Sequence, residues 1–250
     1  MPPRFDQYER LIAAALERGY TVHSVRSLWD LVERGRLDSS ARYLVLRHDV
    51  DTDPGTAEAM WRIEQGAGVP ASYYFRLCTL DVPLMQRIER SGSEASYHYE
   101  ELAAYAKEAR LKEPVQVRQA LPAIQAGFRH NLLWLREKTG LRLDIVAAHG
   151  DFVNRVLGIP NWELLRSQAL RRELGIRLEV YDRAMASLVT SRHADAPYPS
   201  LWQPSDPLDA IKRGEPVIYV LTHPRHWRAN PWQNIGHDAR RLWEGVRYRR

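Results

Sequence analysis

Cysteine is nearly absent. Cys78 is the only one in 250 residues, so no disulfide can form within the chain. Lysine is scarce as well: Lys107, Lys112, Lys138 and Lys212 are the only four, and arginine supplies the rest of the 36 basic residues. No apolar run approaches the ~18 residues of a membrane span. The opening MPPRFDQYER lacks the apolar core of a secretory leader. A lone thiol without a leader leads to the expectation of a cytoplasmic protein. There is no fixed-period repeat, no low-complexity tract and no compositional break. We therefore read residues 1–250 as a single domain, with 1–40 as a helical N-terminal extension.

What is present is an ordinary globular composition, 44% hydrophobic, with a net charge of +5. The arginine excess would suit an anionic partner or a membrane surface, but its plainer reading is a set of solvated faces. The basic end VRYRR stands near Trp243 but is short, and no nucleic-acid motif accompanies it, so no nucleic-acid partner is expected.

Helical spacing of Tyr8, Leu11, Ile12 and Leu16 predicts a helix over 5–18, with Gly19 as its stop, and a second helix covers 24–35. Thereafter short apolar runs alternate with helical patterns. Strands are expected at 43–47, 71–77, 93–97, 143–148, 176–180, 186–190 and 217–222. Helices are expected at 55–66, 81–90, 99–109, 116–138, 161–173, 207–213 and 235–246, with a loop over 191–207. This alternation predicts an α/β fold of βα units, a mostly parallel sheet or barrel.

Four of these strands run into a histidine or an acid. YLVLR leads to His48, Asp49 and Asp51; SEASY leads to His98; LDIVAA leads to His149 and Asp151; VIYVLT leads to His223. In a parallel barrel the C-terminal strand ends share one mouth, where active sites are built. Asp53 precedes Pro54 and fits a helix cap. Asp49 and Asp51 share a face if the strand stays extended, and His48 takes the other. A calcium loop fails, because Pro54 stands at the sixth position, where glycine is needed, and Met60 at the twelfth, where glutamate is needed. A carboxylate pair with separate roles suits hydrolysis: one binds a divalent metal, the other takes a proton from water, and histidines complete the metal shell.

The stretches LRHDVD (46–51), ASYYFRL (71–77), SYHYEEL (96–102), DIVAAHGDF (144–152) and VIYVLTHPRHW (217–227) together resemble the NodB-homology superfamily, the polysaccharide deacetylases of carbohydrate esterase family 4. More closely they are similar to a divergent branch associated with surface-polysaccharide or O-antigen synthesis. The resemblance implies a distorted (β/α) barrel of about seven strands. It implies metal-dependent removal of an N-acetyl group from a sugar, with a divalent cofactor, zinc foremost. The substrate would be an N-acetylated sugar, free, nucleotide-linked or on a glycolipid. By the same resemblance Asp49 is the base, Asp51 and His98 are metal ligands, and His223 is the general acid.

The chain departs from that pattern where a second histidine ligand is expected, since Leu102 stands there. Glu101 or His149 would replace it, and His149 is favoured because a second imidazole preserves the charge and softness of the site. Otherwise Glu101 is a first-turn helix acid and His149 a substrate contact. Tyr99, Arg76, Glu101 and Trp227 are candidate substrate contacts, with Trp227 and Trp232 forming a hydrophobic wall or packing in the core. His23, His130, His193 and His237 read as surface or local structural residues. Two rivals accompany this reading: hydrolysis of another carbon–nitrogen bond, such as a cyclic amide, and a non-catalytic descendant that binds a sugar, supported by Leu102.

Overall fold

The computed structural model describes residues 3–196, 201–228 and 230–249. The expectations for Trp232 and His237 concern side chains outside those described. The chain begins with α1 (Phe5–Glu17), β1 (Tyr20–His23) and α2 (Val25–Glu33). It continues through β2 (Arg42–Val50), α3 (Pro54–Gly66), β3 (Ser72–Phe75), α4 (Val82–Arg90), β4 (Glu94–Tyr99), α5 (Glu101–Glu108) and the long α6 (Pro114–Thr139). Then come β5 (Ile145–Ala148), α7 (Phe152–Leu157), α8 (Gln168–Leu174), β6 (Leu178–Glu179), α9 (Arg183–Ala186), β7 (Ser191–Ala194), α10 (Pro207–Arg213), β8 (Val217–Thr222) and α11 (Pro231–Arg249).

Side chains start many of the helices. Ser24, Asp53, Asp81, Asp151, Ser167 and Asp206 each accept a main-chain N–H in the first turn, and Pro54, Pro83 and Pro207 stand where a missing N–H costs nothing. The expectation for Asp53 is met: it accepts from the Thr56 N–H at 3.0 Å and the Thr56 hydroxyl at 2.7 Å.

The strands form one sheet in the order β6-β5-β4-β3-β2-β8-β7, and every pairing between them is parallel. This is the distorted (β/α) barrel. It is open, with β6 and β7 as its edges. β2 is its central strand: β8 runs along one side of residues 43–48, while β1 and β3 share the other, β1 against 42–45 and β3 against 47–50.

Two expectations need correction. The N-terminal segment is not purely helical, because Tyr20–His23 forms a strand of the sheet and α1 buries Tyr8, Leu11 and Ile12 in the main core. The strand read at 186–190 is instead the end of α9 and a turn. The strand lies directly after it, at Ser191–Ala194, inside the stretch read as loop. There the pairing with β8 decides the conformation, since Ser191, Arg192 and His193 have little apolar character of their own.

The sheet has two apolar faces. Outward residues such as Leu44, Leu46, Tyr73, Phe75, Tyr97 and Val220 pack against the helices. Inward residues such as Val45, Tyr74, Ile145, Ala147 and Tyr219 fill the barrel, whose N-terminal end α2 closes with Val25 and Leu28. The opposite end, where the strands terminate, carries the polar residues.

Candidate active site

Strand alternation sorts the residues of β2. Arg47 and Asp49 face inward, with Asp51 just past the strand end turned to the same side, and His48 faces the helices. Arg47 is fully buried and grips Asp49 with two bonds, Nε to Oδ1 at 2.7 Å and Nη2 to Oδ2 at 2.8 Å. Its guanidinium also lies over the rings of Tyr74 and Tyr181, at 5.3 and 5.0 Å. Burial opposes ionisation of Asp49, but Arg47, aided by His98 and His223, prevails and holds the carboxyl below its usual 3.8.

Above this pair, three side chains from three strands meet. His98 Nε2 lies 3.4 Å from Asp51 Oδ1 and 3.4 Å from Asp49 Oδ2, and His149 Nε2 lies 3.5 Å from the same Asp51 oxygen. The other ring nitrogens fix these orientations. His98 Nδ1 is 2.9 Å from the Ala147 carbonyl, which only accepts, so Nδ1 carries a proton and Nε2 is turned toward the cluster. His149 Nδ1 faces Glu100 Oε2 at 3.1 Å, off the line of a hydrogen bond. Glu100 is itself held by Arg76, with Nη2 at 2.8 and 2.7 Å from its two oxygens. Glu100 is half-buried, and although its desolvation opposes ionisation, His149 and Arg76 hold its carboxyl well below the ordinary range.

This cluster fits a cation. Asp51 Oδ1 is buried and has no hydrogen-bond partner, while two imidazole nitrogens point at it. Ligand bonds of about 2.0–2.2 Å spread tetrahedrally place ligand atoms roughly 3.3–3.6 Å apart, which is the distance of each imidazole nitrogen from the Asp51 oxygen. Histidine backed by carboxylate, as in His149–Glu100, is the usual support of a metal-ligating imidazole. A second group, Asp195, His223 and His226, also gathers within ligand distance, but its carboxylate is already used. Asp195 Oδ1 faces His223 Nδ1 at 2.7 Å, and Oδ2 accepts from the His223 main-chain N–H and from Trp227 Nε1, both at 2.8 Å. The first group offers a carboxylate oxygen with no partner, the second a carboxylate whose two oxygens are both committed. Burial works against a charged His223, yet Asp195, with Asp51 and Asp49, raises its pKa to about 9. Burial likewise opposes Asp195, and His223 with His226 lowers it to about 2.

Asp49, Asp51, His98, His149 and His223, expected to share a mouth, are thus brought to one end of the barrel. Of the other expected contacts only Arg76 is. Tyr99 is fully buried between Phe128 and Tyr97, so it is a core residue. Trp227 is 1% exposed, packs on Tyr8 and Trp202, and serves to hold Asp195; it forms no wall for a ligand. Glu101 turns to the Tyr97 hydroxyl and to Asn131 and stands apart from the cluster. Leu102, where a ligand was sought, is core. Arg76 reaches the site as the partner of Glu100 and also donates to the Asp51 carbonyl at 3.3 Å. His48 lies on the far face with Glu64 at 2.7 Å and Thr222 at 2.6 Å. Buried His193 bonds Ser191 and the Ser205 carbonyl, a local structural role.

Sequence reasoning passed over Arg47, Glu100, Asp195 and Tyr181. Arg47 stood two residues before Asp49 on the same strand face, a signal that alternation alone provides. Glu100 stood two residues after His98. Asp195 follows a strand end like the other site residues, but its strand was read as loop. Tyr181, just past β6, is 38% exposed over Arg47, with its hydroxyl 3.4 Å from Nη2, and gave no signal.

No family model and no curated protein matches the chain. Among solved structures it is similar to a Streptococcus pyogenes deacetylase, PplD, in complex with acetate, at 12% identity and a TM-score of 0.43, over 68% of this chain and 69% of that one. It is also similar to a mutant of a CE4-family pseudoenzyme with restored enzymatic activity, at 10% identity and a TM-score of 0.38, over 83% and 69%. A mutant of the peptidoglycan deacetylase PdaC from Bacillus subtilis follows at 14% identity and a TM-score of 0.28, over 83% of this chain. Likenesses of this extent carry no argument for chemistry, which rests on the site itself.

Proposed function

We propose that the protein is a metal-dependent hydrolase that removes an N-acetyl group from a sugar, in polysaccharide or glycoconjugate biosynthesis. The observation that carries this reading is the partnerless, buried Asp51 Oδ1 met by His98 and His149, with a clamped carboxylate on one side and a charged His–Asp pair on the other.

Asp51, His98 and His149 would hold the ion, and two imidazoles with one carboxylate and open positions suit zinc. When bound, the ion supplies Lewis acidity toward the amide carbonyl and makes water acidic enough for a weakly basic carboxylate to deprotonate. Asp49 is that carboxylate. Arg47 keeps it ionised and fixes its plane beside His98. Asp49 takes the proton of the attacking water as the new carbon–oxygen bond forms. His223, kept charged by Asp195, donates its proton to the nitrogen as the carbon–nitrogen bond breaks. Acetate and an amine leave. Glu100 and Arg76 orient His149, and Trp227 orients Asp195.

Against the non-catalytic rival, His149 stands as a third ligand from another strand, so Leu102 does not leave the set short. The surface-polysaccharide setting follows from the resemblance of LRHDVD, SYHYEEL and VIYVLTHPRHW and belongs to the proposal. Protein stripped with chelator and reloaded with zinc or cobalt is expected to release acetate from an N-acetylated sugar, and Asp49→Asn to abolish release. Full activity in the stripped sample would overturn the reading, and ring opening of a cyclic amide without acetate release would transfer the site to the other carbon–nitrogen reaction.

A further inference from the structure

One face of α11 is packed and another is open. Tyr248 is buried, edge-on to Phe152 at 5.9 Å with its hydroxyl on the Leu111 carbonyl, and Glu244 meets Lys107 at 2.9 Å. Ile235, Ala239, Trp243 and Val246 are exposed instead, the three large ones by 61%, 60% and 53%. They follow one another at spacings of four, four and three residues, which puts them in a single stripe along the helix. Scattered apolar residues on a surface need no explanation, but a stripe of them marks a contact face.

The charges select what covers it. A recess of about 250 Å³ beside the stripe is lined by Arg110, Trp243, Val246 and Arg247, with no carboxylate among its described lining residues. The Arg247 guanidinium lies over the Trp243 ring, 5.3 Å from its centre. Residues 231–250 carry five arginines against Asp238 and Glu244, and Glu244 is already answered by Lys107. A second copy of the chain would set this cationic face against itself across a two-fold interface. A nucleic acid would answer the arginines but leave Ile235 and Val246 without apolar partners. An anionic bilayer answers both, with phosphates for the guanidinium groups and the acyl boundary for the stripe. No described helix is long and apolar enough to cross a membrane, so the contact is with the surface.

We propose that α11 docks the protein on an anionic lipid surface, with Ile235, Trp243 and Val246 entering the headgroup layer and Arg110 and Arg247 on lipid phosphates. The inference goes beyond the deacetylase reading and stands without it. It also bears on the site, because Trp243 and Arg247 line a cleft of about 410 Å³ whose other walls include Arg76 and Glu100. Docking sets the opening of that cleft beside the bilayer.

The test is cosedimentation of the full chain with vesicles. Binding to phosphatidylcholine mixed with an equal part of phosphatidylglycerol is expected to exceed binding to phosphatidylcholine alone by about tenfold or more, and to weaken as salt rises. Arg110→Gln and Arg247→Gln are each expected to lower the affinity about fivefold and Trp243→Ala about tenfold, while Arg247→Lys keeps most of it. Leu133→Ala, at an exposed leucine of α6 outside the recess, is expected to bind as wild type does. Brominated lipid is expected to quench tryptophan emission more in wild type than in Trp243→Phe. No binding, equal binding to the two kinds of vesicle, wild-type binding in Arg247→Gln and Trp243→Ala, or equal quenching in wild type and Trp243→Phe would each overturn the docking face. Dimerisation that Trp243→Ala abolishes would give the face to a second copy, and retention by an oligonucleotide but not by vesicles would give it to nucleic acid; either would overturn the proposal. Acetate release from a soluble sugar is measured separately, so docking and the deacetylase reading can fail independently.

Discussion

Asp195 has both oxygens committed, and it ties the acid half of the site to the fold: its carboxylate faces the His223 ring and accepts the His223 main-chain N–H and the Trp227 indole. The energetic consequence has a definite sign. His223 titrates near 9 in the folded metal-free protein against 6.5 when unpaired. Because the folded value is the higher one, the stabilisation is complete below pH 6.5 and is lost as pH rises through 9. Its size is about 3 kcal/mol. Metal-free wild type is therefore expected to lose that much stability in urea denaturation across this window. Asp195→Asn is expected to start lower by a similar amount at pH 6 and to show little slope; a variant with the wild-type slope would place the titration elsewhere. Asp195 also marks the limit of legibility at this scale. Asp49, Asp51, His98, His149 and His223 were readable because each follows an apolar strand. Asp195 follows Ser191–Ala194, a strand made by pairing with β8, so no apolar run announced it. Trp227 and Tyr99 were misjudged for a related reason: an aromatic beside a site residue has the same one-dimensional signature whether it faces the mouth or the helices.

β2 does different work on its two faces. Inward it presents the Arg47–Asp49 pair. Outward, His48 stacks on Tyr73 at 4.4 Å and meets Glu64, which also accepts from the hydroxyls of Tyr8 at 2.5 Å and Tyr73 at 2.7 Å. One buried carboxylate of α3 thereby joins α1, β2 and β3, and through His48 and Thr222 it reaches β8, next to His223. Removing the acceptor leaves the buried Tyr73 hydroxyl unanswered, and leaves Tyr8 and His48 Nε2 only each other, at 3.1 Å. Glu64→Ala is expected to cost at least ~3 kcal/mol in chemical denaturation and to speed hydrogen exchange in α1. A loss under ~1 kcal/mol would show that the network is incidental. Helices and buried strands were the legible elements here because their periodicity comes from burial. Tyr20–His23, with exposed Thr21 and only two fully buried side chains, lacked such a run, so β1 was absorbed into a helical extension.

At the scale of the molecule, the barrel brings together residues 49, 51, 98, 149 and 223 by stacking parallel strands whose ends share one rim. That convergence was legible because strands alternating with helices have few other solutions. The third ligand was legible only in part: ligand chemistry favoured His149 over Glu101, but which way each side chain turns after its strand ends has no signature in the sequence. The assembled cluster holds a buried carboxylate oxygen opposite two imidazole nitrogens, an arrangement that only a proton or a cation between them relieves. Binding should therefore stabilise the whole fold. An ion at a hundredfold excess over its Kd contributes about 2.7 kcal/mol, or a rise in Tm of roughly 5–10 °C for a chain of this size. Zinc added to metal-free wild type is expected to give that rise in calorimetry. His149→Ala and Asp51→Ala are expected to show almost none, while Glu101→Gln, whose side chain bonds Tyr97 and Asn131 instead, retains it. A Tm shift that survives in His149→Ala but disappears in Glu101→Gln would reverse the ligand assignment.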